Sequence, residues 1–396
     1  MKKTERKMSF RFEPRCLFAQ SLFVFLNVCT LFNLALPGNA DGRNLVFSDD
    51  FSKESLEKAV GHSVDYLRKI PATRRFLVCG REYDAAWLIE SLRSFMVLKQ
   101  EDLTAADFSE ALSGQFEICG PGNQDAGDML VTGYYEPLFD GSLERSGLYQ
   151  YPLYQVPADL AVMIGGSEFN GRKVGRLDGG RFVPYWSRAE IEEQGLLTGR
   201  ELVFLTDPVE AFIMHVQGSG QVRLPDGSIR HVQYAAKNGR LYRSIGRLLV
   251  DEGKMSLEEV DLPGLVRYLA AHPENRKRIL NYNESFVFFR WGDDAQEGPI
   301  GCLGEVITAG RSVALDHNVF PSAGLAFLKS QQPFWDESGR ISGWVPMTRF
   351  VLNQDSGSAI KGKGRLDFFW GRGQKAEAAA GKMKHPGTLF FLIKKK

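Results

Sequence analysis

From about residue 294 onwards the chain keeps one style, and that style limits its fold most tightly. Gly324–Lys329, Gly343–Leu352, Arg365–Trp370 and Gly387–Ile393 are short runs rich in Phe, Val, Leu and Trp. Gly- and Ser-rich turns separate them. Short strands at this spacing predict a small barrel or sandwich. The residues before 294 have a different pattern. Residues 41–120 read as mainly helical: Asp84–Gln100 carries apolar residues at intervals of three and four, which puts one face on a core, and Thr104–Phe116 is similar. Val131–Pro137 (VTGYYEP) then turns strand-like. Residues 138–293 mix short strands and helices. Ser187-x-x-Glu190 is a capping box, and Asp207-Pro208-Val209-Glu210 is a helix start. Leu224-Pro-Asp-Gly-Ser228 predicts a hairpin turn. Ser256-x-x-Glu259 predicts the cap of a helix leading into 261–280. The closing Lys394-Lys395-Lys396 reads as a solvated tail.

A chain of 396 residues has room for two domains or one elaborated domain. With 49 Lys+Arg against 48 Asp+Glu, it lacks the basic footprint of a nucleic-acid binder, and none is expected as a partner. The charge is concentrated at the start. Lys2, Lys3, Arg6, Lys7, Arg11 and Arg15 precede the uncharged run Leu17–Leu36, and Pro37-Gly-Asn-Ala40 follows with small-x-small spacing. This order predicts a secretory signal peptide over residues 1–40 and a periplasmic, soluble mature chain. An uncleaved membrane anchor is the alternative, since the run is long enough to span a bilayer. Cys29 lacks the flanking residues of a lipoprotein signal. The exported chain keeps Cys79, Cys119 and Cys302. A Cys79–Cys119 bridge and three buried thiols are both open readings.

The chemistry narrows by elimination. The six histidines show no paired ligand spacing, so no metal is expected, and no phosphate loop or nucleophile elbow occurs. Carboxylates remain. Asp355 stands at a strand-to-turn junction, and Asp367 sits inside the apolar stretch Leu366-Asp-Phe-Phe-Trp370. Strands rarely carry an Asp there. Burial beside aromatics would raise its pKa, as a general acid requires. A structural Asp paired with Lys361 or Arg365 is the other reading. Asp316, after Arg311-Ser-Val-Ala-Leu, is a third candidate and by itself reads as a turn or cap.

These three aspartates in their contexts resemble those of the 3D domain. Asp355-Ser-Gly-Ser-Ala-Ile-Lys-Gly with Arg365-Leu-Asp-Phe-Phe-Trp-Gly371 is similar to that domain in the lytic murein transglycosylase A family. Thr132-Gly-Tyr-Tyr135, Phe212-Ile-Met-His-Val-Gln-Gly-Ser-Gly220, Tyr234-Ala-Ala-Lys-Asn-Gly239, Tyr242-Arg-Ser-Ile-Gly246 and Asn283-Glu-Ser-Phe-Val-Phe-Phe289 follow the family's order. The resemblance runs from about residue 130 to the end and is weak over 40–120.

The resemblance implies a mainly β, α+β fold with a helical N-terminal region: a double-psi β-barrel interrupted by a second β-rich domain. The barrel would take strands from 41–137 and all of 294–396, with the insert over 138–293. The implied reaction cuts the β-1,4 bond between N-acetylmuramic acid and N-acetylglucosamine in peptidoglycan, without water, leaving 1,6-anhydro ends. An exotransglycosylase of this kind needs no cofactor. Its partner is the glycan strand, and protein partners would be sought among cell-wall synthesis or division complexes. Asp367 matches the acid/base, supported by Asp355 and Asp316. Here Gly357-Ser358 replaces the family's glycine pair, and one extra residue precedes Asp367. Tyr134, Tyr135, Gln217 and Lys361 are the candidates to line the groove, with barrel core as the other reading for each tyrosine. His215 reads as structural. A non-catalytic peptidoglycan-binding or scaffold protein on the same fold is the alternative function.

Overall fold

The computed structural model describes residues 46–120, 129–164, 172–293 and 297–396. The expected leader, residues 1–40, lies outside them. Each early helix begins where a side-chain oxygen takes an otherwise unpaired amide. Ser52 caps α1 (Lys53–Lys69) through the Ser55 amide. A hairpin of β1 (Arg75–Val78) and β2 (Arg81–Asp84) leads to α2 (Ala85–Gln100), which Asp84 caps through the Trp87 amide. Thr104 does the same for α3 (Ala105–Gln115). The apolar faces of all three helices join the core of the C-terminal strands. Phe95 of α2 lies 4.8 Å from Phe350, and Phe47 lies 4.9 Å from Phe327.

After β3 (Phe116–Cys119) and β4 (Met129–Glu136) the chain leaves for a second β-rich region. It runs through β5 (Leu138–Ser142), β6 (Tyr151–Tyr154), β7 (Ala161–Ile164), β8 (Arg172–Asp178) and β9 (Arg181–Pro184). Then come α4 (Arg188–Gln194), β10 (Glu201–Leu205), α5 (Pro208–Gln217), β11 (Ser219–Arg223) and β12 (Ile229–Lys237). Helices α6 (Ile245–Asp251), α7 (Leu262–Ala271) and α8 (Arg276–Tyr282) precede β13 (Val287–Trp291). A six-stranded sheet in the order β13-β12-β11-β5-β10-β6 carries this region, beside the three-stranded β7-β8-β9. The Ser187 capping box is complete, Pro208 occupies the first turn of α5, and β11 and β12 form the expected hairpin around Gly227. Ser256 and Glu259 do exchange capping-box bonds, but they close a turn. Asp261 caps α7 instead, and Pro273, unable to donate to the helix ladder, splits the expected 261–280 helix in two.

The chain then returns as β14 (Ser312–Ala314), β15 (Leu325–Trp335), β16 (Ile341–Asp355), β17 (Arg365–Arg372), α9 (Gln374–Lys382) and β18 (Lys384–Lys394). These strands and β4 pair in the ring β15-β16-β14-β17-β4-β18, closed by β18 on β15. This six-stranded barrel is the fold that the resemblance implied. Two of its pairings, β14–β16 and β17–β4, are parallel. Closure removes the free strand edges on which other chains could pair.

Two features tie the helical region to the barrel. Arg311 is fully buried: Nη1 binds both oxygens of Asp49 at 2.9 and 2.8 Å and the Phe350 carbonyl at 2.9 Å. Its Nε donates to Ser55 Oγ and its Nη2 to the Ser52 carbonyl. Lys395 and Lys396 are exposed, as a solvated tail would be, and still make contacts with the helical region. Lys395 Nζ donates to the Ser113 and Gly114 carbonyls at the end of α3, and Lys396 lies over the Tyr83 and Trp87 rings. Orphan carbonyls at a helix C-terminus attract cations, which a count of charges along the sequence does not register.

Cys79 and Cys119 form a disulfide across 40 residues, and Cys302 is free. A loop of that length should make the bridge worth about 3–4 kcal/mol through the unfolded chain. Replacing both cysteines with serine should lower the denaturant midpoint accordingly. A loss below about 1 kcal/mol in equilibrium unfolding would show that the helical region is held by packing alone.

Candidate active site

Strand register, set by hydrogen bonds far from the carboxylates, assembles the site. Ala314 of β14 pairs with Asp355 of β16 on one side and with Asp367 of β17 on the other. Asp367 in turn pairs with Thr132 of β4. One row across four strands therefore reads Asp355, Ala314, Asp367, Thr132. The two aspartate backbones stand two strand spacings apart, about 10 Å. The side chain between them, that of Ala314, is small and buried.

Asp367 and Asp355 have the same residue type and different surroundings. Asp367 keeps partial exposure, and among the described residues its carboxyl has a single hydrogen-bond donor, Thr132 Oγ1, at 2.8 Å to Oδ1. Desolvation by the surrounding protein pushes its pKa up to about 6, against the pull of Thr132 and Arg365 and with help from the Asp355 charge. Asp355 is instead saturated. Its Oδ1 accepts from the Cys302 and Ser356 amides at 3.0 and 2.9 Å, and its Oδ2 accepts from the Tyr134 hydroxyl at 2.9 Å. Burial raises its pKa as well, with those three donors opposing.

Glycines make two of these contacts possible. At Gly133 a Cβ would stand 2.8 Å from the Ala380 Cα and the Trp370 ring, so only glycine lets α9 close on β4 between Thr132 and Tyr134. At Gly301 a Cβ would meet the Gln354 carbonyl at 2.6 Å. Glycine there lets the turn approach β16 and aim the Cys302 amide at Asp355.

Asp316 does not join the row. It is buried, and its oxygens accept from the Asn318 amide, the Asn318 side chain and the Gly362 amide. Burial works to raise its pKa, but the Gly362 and Asn318 amides and the Lys361 charge prevail and hold it low. A carboxylate that favours its ionised form thus pins the 356–364 loop that joins the other two aspartates. Lys361 projects from that loop and is exposed.

The groove candidates divide. Tyr134 is partly exposed, packs against Phe369 at 5.1 Å and gives its hydroxyl to Asp355, so it acts through a carboxylate. Tyr135 is buried on α9 with its hydroxyl toward Glu377, 3.3 Å away, and belongs to the core. Gln217 Oε1 accepts from the Tyr135 amide at 3.2 Å, joining α5 to the barrel strand. With Tyr242 it also lines an apolar cavity of about 100 Å³ under α5, α6 and α7. His215 is buried against Phe286 and accepts from the Val287 amide, and burial keeps it neutral.

The chain matches two family models, the MltA specific insert domain over residues 130–290 and the 3D domain over 311–393. Over 274 residues it is 33% identical to membrane-bound lytic murein transglycosylase A of Escherichia coli K12, covering 68% of this chain and 67% of that protein. The Vibrio cholerae protein of the same name is 30% identical over 310 residues, covering 77% of this chain and 75% of the relative. The chain belongs to the membrane-bound lytic murein transglycosylase A family. The fold agrees. A membrane-bound lytic murein transglycosylase from Agrobacterium tumefaciens superposes with a TM-score of 0.71 at 27% identity, over 87% of this chain and 93% of that one. Escherichia coli MltA with bound chitohexaose gives 0.65 at 25% identity, over 89% and 94%.

In this member of the family the carboxylate row crosses both matched regions. Thr132 and Tyr134 lie in the first, and Asp316, Asp355 and Asp367 in the second. Sequence reasoning overlooked Thr132 and the Cys302 amide. Thr132 opens the quoted Thr-Gly-Tyr-Tyr motif, so its signal was present in the sequence. The Cys302 amide carries no signal, because any residue supplies one.

Proposed function

We propose that this chain is a peptidoglycan lytic exotransglycosylase in which Asp367 serves first as acid and then as base. The observation that carries the reading is the environment of Asp367: a carboxyl with a pKa near 6, one hydrogen-bond donor and a partly open approach. Asp367 gives its proton to the glycosidic oxygen as the C1–O bond breaks. The muramoyl C6 hydroxyl attacks C1 and returns its proton to the carboxylate. No water is consumed, and the acid is regenerated. A hydrolase needs a second carboxylate to activate water. Here the nucleophile is tethered to the reacting sugar, so proximity replaces that group. Asp355 supports the site by fixing Tyr134 and the Cys302 turn, and Asp316 by fixing the loop that bears Lys361. The leader-like start of the sequence supports a periplasmic location, and the names of the relatives support membrane association.

The test is the mass of products released from purified peptidoglycan. Anhydro ends match the summed mass of the unbroken strand. Products heavier by about 18 Da per cut would mean hydrolysis and end this reading. Release of no product at all would favour a binding protein.

The pH profile follows with a definite sign. Asp367 must carry its proton to start, and its pKa is raised to about 6. On a soluble glycan, kcat/KM should be level below that value and fall about tenfold per pH unit above it. A plateau extending to pH 8 would remove Asp367 from the acid role.

A further inference from the structure

Lys237, the last residue of β12, and Lys361, in the loop between Asp355 and Asp367, come together across the space where the inserted region meets the barrel. Lys237 is half-buried, and its Nζ has one long contact, 3.5 Å to Ser358 Oγ on that same loop. Among the described residues neither ammonium has a carboxylate within ion-pair distance. Asp316 feels the Lys361 charge, but its oxygens are already taken by amide donors. Desolvation and then the nearness of Lys361 push the Lys237 pKa down. A partly desolvated ammonium held near a like charge carries a cost unless an anion joins them.

The backbones presenting both lysines are fixed. Asn238, fully buried, donates to the Trp186 and Glu284 carbonyls and accepts the Phe286 amide, which anchors the end of β12. The Gly362 amide, next to Lys361, is bound to Asp316 at 2.9 Å. Preformed cations at the loop that joins Asp355 to Asp367 suit a substrate with a negative charge close to the bond being cut. On a muramoyl residue that charge is a carboxylate on the 3-O substituent of the ring whose C1 reacts. It is the lactyl carboxyl in a bare strand and a peptide-stem carboxyl in a substituted one.

We propose that Lys237 and Lys361 form a clamp for a carboxylate on the 3-O substituent of the reacting muramoyl residue. The proposal rests on the reading of the chain as a lytic transglycosylase. The clamp separates the natural strand from a chitin-like oligomer, which has the same backbone and no carboxylate.

Binding to the Asp367→Asn protein, measured calorimetrically, tests it without turnover. The ligands are chitohexaose, peptide-free glycan fragments and peptide-bearing fragments. Lys237→Met and Lys361→Met should each raise Kd about tenfold for carboxylate-bearing fragments, the size of one charge-assisted contact, and leave chitohexaose affinity unchanged. Lys237→Arg should retain most of the affinity. Loss confined to peptide-bearing fragments assigns the stem carboxyl, loss confined to peptide-free fragments assigns the lactyl carboxyl, and loss with both shows that the clamp takes whichever carboxylate the 3-O substituent carries. Equal loss with chitohexaose, or no loss with any ligand, overturns the clamp alone. A parent protein that binds no glycan overturns the functional reading and the clamp with it.

Discussion

Asp367→Asn should fold like the parent, bind glycan and lose about 10²–10⁴-fold in kcat/KM, the usual contribution of a general acid–base group. Folding survives because the carboxyl has a single partner, Thr132, which an amide oxygen can also satisfy. Activity does not survive, because an amide neither donates a proton to the leaving oxygen nor takes one from the C6 hydroxyl. Asp355→Asn should show the opposite balance. An amide there places an NH₂ group against at least one of three donors, the Cys302 and Ser356 amides and the Tyr134 hydroxyl. Stability should fall by about 1–3 kcal/mol, with a smaller loss in the chemical step. Single-turnover rates and urea midpoints on the two variants separate the roles. A dead Asp355→Asn beside an active Asp367→Asn would exchange them.

Arg311→Ala should be the most destabilising of these changes, by about 3–5 kcal/mol. The side chain is wholly enclosed, and Asp49 has only 3% of its side chain exposed. Truncation leaves a buried carboxylate without its counter-ion. It also strips donors from the Phe350 and Ser52 carbonyls and from Ser55 Oγ. The seam between the helical region and the barrel should therefore loosen, seen as a lower urea midpoint. A change below about 1 kcal/mol would show that water enters and solvates Asp49.

Several elements were legible in the residues themselves. The four aromatic runs after residue 294 became β15 to β18 because their composition suits strands buried on a barrel. Ser187 and Asp207 announced their helices because a cap is a local bond between residues two or three apart, and apolar spacing announced the helices of 84–100 and 104–116. Asp367 stood out as a charge in an apolar strand. Other elements had no local signal. Strand β14 has three residues, too few for any period, yet its Ala314 separates the two aspartates. The partner of Asp367 is 235 residues away, and the register that joins them is written on neither strand alone. Tyr135 and Tyr134 look alike in sequence, but alternation sends one to α9 and the other to Asp355.

The parallel pairing of β4 with β17 has a consequence in time. Thr132 and Asp367 are 235 residues apart in the chain, and no stretch between them can bring them together in advance. A chain made from its N-terminus lays down β4 early and must hold it unpaired while the whole inserted region is produced. Contacts of such long sequence separation form late and slowly. The row of carboxylates thus comes into being at the last step, when β17 and β18 arrive and the ring shuts. A wall-cutting activity built this way is silent in every partly made chain, and its safety catch is the order of its own strands.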